Sequence, residues 1–202
     1  MNILKYTKIN FYEKIIEKHE ENIPTTERLS FLSYEQYKET FFYKAGCDEE
    51  YKKRFSRNDL CVALFAPNIV NISWISSKPV FIDEIEMELP DLIASPSNGK
   101  NYYINDPVKR DPSQLNKRIA ELVPDNGIII YDVITKLIER GKGYYPKALN
   151  LIEIWATTQG YNKITIYSEA KNKSSIKGII KAGFEYTKSI RMFKAFKHKI
   201  YF

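Results

Sequence analysis

Between Gly127 and Phe184 the chain follows one strict succession: an apolar run, a glycine-containing loop, a helix, a second run and a second, shorter helix. Gly127 to Thr135 (Gly-Ile-Ile-Ile-Tyr-Asp-Val-Ile-Thr) is dense in β-branched residues and predicts a strand. Pro146 to Gln159 predicts a helix that is apolar on more than one face through Ala148, Leu149, Leu151, Ile152, Ile154, Trp155 and Ala156. Such a helix needs a sheet to cover it, and Gly160 ends it. Lys163 to Tyr167 predicts the next strand, Asn172 opens a further helix, and Ala182-Gly183-Phe184 closes it. Strands alternating with helices in this way call for an α/β domain.

Arg140-Gly141-Lys142-Gly143 joins the first of these strands to the first helix. Two glycines close to a helix start let backbone N–H groups crowd around an anion, with the positive helix end behind them. Arg140 or Lys142 can add charge. The competing reading is a tight turn in which glycine serves geometry alone. The downstream marks favour the anion site. Taken together, the loop, Asn172 and Gly183-Phe184 resemble the GCN5-related N-acetyltransferases (GNAT), whose phosphate loop reads Gln or Arg, two residues, Gly, one residue, Gly or Ala. Arg140, Gly143 and Tyr145 stand at those three positions. The resemblance covers residues 127 to 197 and thins upstream to hairpin-like strands from about residue 59. It departs at two places. Tyr145 replaces a small residue, and Ile179 stands four residues before Gly183, where the family's usual general acid is a tyrosine.

This resemblance implies an α/β fold with a central mixed, mostly antiparallel sheet flanked by helices, acetyl-CoA as co-substrate, and no metal. It places the thioester along the strand before the loop, with a backbone N–H near Val133, Ile134 and Thr135 polarising the carbonyl. The cofactor-binding set continues through Arg140, Gly141, Lys142, Gly143, Tyr144 and Tyr145 to Asn172 and Ser175. Lys171, Lys173 and Lys177 are candidates for the ribose phosphate. Transfer to an amine also requires removal of the ammonium proton. Asp132 is one candidate base. Glu84, Glu86 and Glu88 are others: they alternate with Ile85, Met87 and Leu89 in a predicted strand Val80 to Leu89, so they project from one face. A solubilising face is the competing reading of those glutamates. Ile179 has no proton to give, which leaves Tyr144, Tyr145, Tyr186, Ser175 or water to protonate the leaving thiolate.

The expected activity is direct acetyl transfer, in a ternary complex, to a primary amine such as an amino sugar or amino-acid derivative. Two rivals stand beside it: a coenzyme A-binding protein of the same fold without catalysis, and a nucleic-acid-binding module. Charge bears on the last. Residues 1–100 hold 13 Lys/Arg against 16 Asp/Glu, and residues 101–202 hold 18 against 9, so the net +6 sits entirely in the second half. Coenzyme A accounts for much of this; a larger anionic acceptor such as charged tRNA is compatible with it.

Upstream, Met1 to Lys8 predicts a strand, and the Asn10/Glu13 spacing predicts a helix start with Ile15, Ile16 and His19 on one face. Ser33 with Gln36 is a second capping box, opening a Tyr/Phe-rich helix to Lys44. Asp59–Ala66 and Ile69–Ser76 predict a hairpin. Residues 90–126 are read as an insertion in a single domain spanning 1–202, with a helix capped by Asp111 and opened by Pro112. That segment is expected to cover the acceptor side or to make an oligomer contact such as a homodimer. No run approaches the roughly 18 apolar residues of a membrane span, and Met1-Asn2-Ile3-Leu4-Lys5 lacks a signal-peptide core. Cys47 and Cys61 have no metal-ligand spacing, so a reduced, cytoplasmic protein is expected; His19 and His198 belong to no triad or metal set and are read as surface or packing residues.

Overall fold

The computed structural model describes residues 4–16, 28–78, 80–82, 87–88, 126–195 and 198–201. Its spine is an eight-stranded sheet in the order β10-β9-β1-β8-β7-β4-β3-β2. The strands are β1 (Leu4–Ile15), β2 (Arg28–Leu32), β3 (Leu60–Phe65), β4 (Ile69–Ser76), β7 (Gly127–Thr135), β8 (Lys163–Glu169), β9 (Glu185–Ala195) and β10 (His198–Tyr201). Every neighbouring pair is antiparallel except β7 with β8, which is parallel. The architecture is therefore α/β, with a mixed and mostly antiparallel sheet flanked by helices.

Helices α1 (Tyr34–Lys38) and α2 (Asp48–Ser56) cover one face, and α3 (Tyr144–Thr158) and α4 (Lys173–Lys181) cover the other. The apolar run of β7 is explained by this sandwich. Ile129 and Tyr131 face an aromatic layer of Tyr37, Tyr51 and Trp74, while Ile128 and Ile130 face Leu149, Ile152 and Ala156 of α3. A strand buried on both faces has no use for polar alternation. The Ser33–Gln36 capping box forms in full at the start of α1. The hairpin β3–β4 and the strand Gly127–Thr135 form where the sequence places them.

Three expectations are corrected. Asn10 to Ile16 does not begin a helix: β1 runs through to Ile15, between β8 and β9. Ile9 and Phe11 pack on one face and Tyr12 on the other, all nearly solvent-free, and this two-sided burial overrides the local capping pattern. The aromatic stretch after Ser33 is not one helix to Lys44; α1 ends at Lys38, and α2 begins separately at Asp48 with Asp48, Glu49 and Glu50 in its first turn.

Val80 to Leu89, finally, is not one strand beside β7. Its described parts are β5 (Phe81–Ile82) and β6 (Met87–Glu88), which pair antiparallel with each other. In the sheet order β7 already lies between β4 and β8. Glu88 thus belongs to a separate two-stranded ladder, and Glu84, Glu86, the helix expected after Asp111 and His19 lie outside the described residues.

Candidate active site

The parallel ladder between β7 and β8 runs from Gly127/Lys163 to Ile130/Ile166 and stops. Beyond it β7 stays with β4 as far as Thr135, while β8 stays with β1 as far as Glu169. The two strands part, and a cleft of about 570 Å³ is formed between the end of β7, the start of α3 and α4. At the parting point β7 carries a bulge. Tyr131 pairs with Trp74 and Ile134 with Ile72, so Asp132 and Val133 together stand opposite Ser73. Asp132 has φ 45°, in the left-handed region.

Val133, Ile134 and Thr135 form one wall of this cleft. Thr135 is fixed from behind: Asn71 Nδ2 donates to its Oγ1 at 2.9 Å, and Ser73 Oγ donates to Asn71 Oδ1 at 3.1 Å. The second wall comes from the loop and the start of α3, through Arg140, Gly141, Gly143, Tyr144 and Tyr145. Asn172, which caps α4, and Ser175, Lys177, Gly178 and Lys181 of α4 complete it. The cleft therefore brings together ten of the eleven residues of the expected cofactor-binding set, and with them Lys177 of the three ribose-phosphate candidates. Lys142 is not among its lining; its ammonium pairs with Glu139 at 2.8 Å, and that bond raises its pKa.

Gly141 and Gly143 have φ 79° and 82°, and a Cβ on either would meet no protein atom within 4 Å. Their glycines are required by backbone conformation, not by crowding within the protein. Gly143 is the N-cap of α3 and no side chain caps that end. The first-turn N–H groups of a helix have no partner within it; of these, position three is Pro146, which has none to offer. The start of α4 is different: Asn172 Oδ1 accepts from Ser175 N at 3.2 Å, so this side chain is occupied in capping. Arg140 turns back and donates from Nε to the Thr135 carbonyl at 3.2 Å, tying the loop to the end of β7. Lys177 and Lys181, one turn apart, add positive charge to the α4 wall, and Glu139 is the carboxylate among the lining residues.

Tyr145, where the resemblance calls for a small residue, packs the Cδ1–Cε1 side of its ring against Gly178 and shares a 3.2 Å hydrogen bond with Ser175. Burial pushes its phenol up to about 12, so it stays protonated through neutral pH. Gly178 escaped the sequence reading; a glycine inside a short helix was the available signal, since such a residue needs a packing reason. Ile179 beside it is fully buried against the sheet. Tyr186 is 55% exposed and packs edge-on against Tyr12, away from the cleft lining.

On the opposite face Asp132 Oδ2 lies 2.5 Å from Arg54 of α2. Arg54 also pairs with Glu50, and its guanidinium stacks over Trp74, Tyr131 and Tyr51, with centroids 5.0, 5.1 and 5.8 Å away. Sequence reasoning missed Arg54 because nothing local links α2 to the bulge. Among the described residues no group of His, Cys, Asp and Glu could hold a metal ion, and no helix is long and apolar enough to cross a membrane.

No family model matches the chain. No curated protein matches it either. Among solved structures it is similar to a GNAT-family acetyltransferase from Colwellia psychrerythraea, with 12% identity and a TM-score of 0.49 over 98% of this chain and 57% of that one. A conserved protein of unknown function from Staphylococcus epidermidis gives 8% identity and a TM-score of 0.50, over 98% and 62%. A chain from Novosphingobium aromaticivorans assigned by name to the GNAT family gives 10% and 0.46, over 98% and 65%. At this identity the likeness is one of fold, and the chain spans 57% to 65% of the length of these three.

Proposed function

We propose that this chain is an acyltransferase that takes an acetyl group from acetyl-CoA and passes it directly to a primary amine. One observation carries the reading: two parallel strands part beneath an uncapped helix start that is shaped by two left-handed glycines. The parted strands leave unpaired backbone for an extended ligand, and the helix start offers N–H donors and positive potential to a pyrophosphate. In this reading Gly141, Gly143, Tyr144 and Tyr145 receive the phosphates, Lys177 and Lys181 neutralise them, and the backbone of Val133 to Thr135 lies along the acyl arm. The thioester supplies an activated carbonyl and a good leaving group; the protein's part is to hold it, polarise it by a backbone N–H and exclude water.

The amine would approach from the α1/α2 face, opposite the cleft. Asp132 stands there, but its carboxylate is engaged by Arg54, so we assign it to holding the strand. Removal of the amine's proton falls to the 84–88 segment or to solvent. The thiolate's proton would come from Tyr144, Ser175 or water, because Ile179 is sealed in the core.

Titration calorimetry with coenzyme A and acetyl-CoA, followed by free-thiol release with a panel of amines, tests the reading. Micromolar binding and amine-dependent release are expected; absence of coenzyme A binding to the folded protein would refute it. The burial of Ile179 favours a second reading, a binding protein without catalysis, which predicts tight coenzyme A and no thiol release with any amine.

A further inference from the structure

The bulge in β7 decides which residues see the cleft, and its cause lies on the other side of the sheet. Directly paired residues share a face. Tyr131 therefore sits with Trp74 on the α1/α2 face, and Thr135 sits with Asn71 on the α3/α4 face. In an unbroken strand, residues 131 and 135 would share a face, because side chains alternate with period two. The extra residue at 132–133 reverses this: Val133 packs with the α3/α4 core, and Thr135 follows it onto the cleft side. Asp132, meanwhile, points the other way, to Arg54.

Arg54 is built to hold it there. Its side chain is only 12% exposed, its guanidinium lies on the faces of Trp74 and Tyr131, and Asp132 Oδ2 is 2.5 Å away. Stacking on two rings fixes the plane of the guanidinium, so its donors are confined to that plane, where Nη2 meets Asp132 and also Glu50. Aspartate is among the residues that accept a positive φ, and the ion pair selects that conformation over the extended one that would erase the bulge. Neither Arg54 nor Asp132 lines the cleft.

We infer that Arg54 is a positioning residue which, by clamping Asp132 from the far face, sets the bulge that turns Val133 and Thr135 into the cleft. Its bearing on coenzyme A rests on the function proposed above; its bearing on the strand does not. Four variants test it: Arg54→Met, which keeps the apolar stem over the rings, Asp132→Ala, their combination, and Asp132→Asn, which keeps an acceptor and tolerates positive φ. Calorimetry with coenzyme A reads affinity, and amide hydrogen exchange reads the strand. Arg54→Met and Asp132→Ala are each expected to weaken coenzyme A at least tenfold and to speed exchange at Val133 to Thr135, with Ile128 to Ile130 still protected. The combination is expected to be no more than twofold worse than either, and Asp132→Asn to stay within threefold of wild type. Singles within twofold of wild type in affinity, with unchanged exchange at 133–135, would overturn the clamp. So would full additivity in the combination. If wild type itself fails to bind coenzyme A, the functional reading falls and the exchange pattern alone decides the clamp. Should Arg54→Met not fold, Asp132→Ala, whose side chain is 48% exposed, carries the same test.

Discussion

Gly178→Ala makes the sharpest prediction, because its sign depends on a single neighbour. A Cβ built on Gly178 lies 2.4 Å from Tyr145 Cδ1 and 2.8 Å from Cε1. Carbon atoms pack at about 3.5–4.0 Å, so the ring must move by about 1 Å or more. Overpacking of this kind costs roughly 1–3 kcal/mol. The ring cannot tilt away without loosening the hydrogen bond to Ser175, which adds about 0.5–1.5 kcal/mol. Against this, alanine is the better helix former by about 0.8–1 kcal/mol. The net expectation is a destabilisation of about 1–3 kcal/mol, or a fall in Tm of several degrees at about 2–4 °C per kcal/mol for a chain of this size. In a Tyr145→Ala background the obstacle is gone and only the helix term remains, so the same substitution should stabilise by up to about 1 kcal/mol. Urea unfolding of the four proteins of this cycle measures both signs. If Gly178→Ala has the same effect with and without the Tyr145 ring, the packing argument is wrong, and with it the account of how a tyrosine fits at a position that otherwise calls for a small residue.

Gly143→Val should cripple coenzyme A binding with little change in far-UV signal, since a β-branched residue resists φ 82° at the helix start; unchanged affinity by calorimetry would sink the phosphate-loop assignment. Arg140→Ala should be milder, about 0.5–1.5 kcal/mol in coenzyme A affinity, as its guanidinium already bonds the Thr135 carbonyl. Asp48 is held below the usual carboxylate range by hydrogen bonds from the phenols of Tyr34 and Tyr43 and from Lys52. A depressed carboxyl contributes stability that is complete above its unfolded pKa of about 3.9 and is lost as pH falls toward the folded value. The Tm advantage of wild type over Asp48→Asn should therefore be level at neutral pH and shrink below about pH 4; a gap independent of pH would refute the linkage. Burial pushes the Cys61 thiol up to about 12, so native protein should label at Cys47 first and at Cys61 only on unfolding. Shortening residues 90–126 should leave coenzyme A affinity within about threefold and raise the acceptor's KM at least tenfold, roughly 1.4 kcal/mol, with equal acceptor kinetics deciding against a covering role.

How much of this was legible follows from how far each feature's causes lie along the chain. The run from Gly127 to Phe184 could be read because its determinants are local: β-branched strands buried on both faces, glycines that must take positive φ, and an asparagine that caps its own helix. Strand β1 could not, because the partners that make Asn10 to Ile15 extended are Lys163–Glu169 and Glu185–Ala195, at the far end of the chain. The Arg54 clamp was hidden for the same reason. The two departures from the resemblance, Tyr145 and Ile179, turn out to meet on α4. Gly178 and Ile179 are adjacent, yet one faces outward to receive the Tyr145 ring and the other faces inward at 0% exposure. A tyrosine at 179 would have to place its hydroxyl in the apolar layer made by Ile164, Ile166 and Phe184, where an unpartnered hydroxyl is costly. The core therefore selects isoleucine at that position, and the buried face of α4 presents no proton donor there.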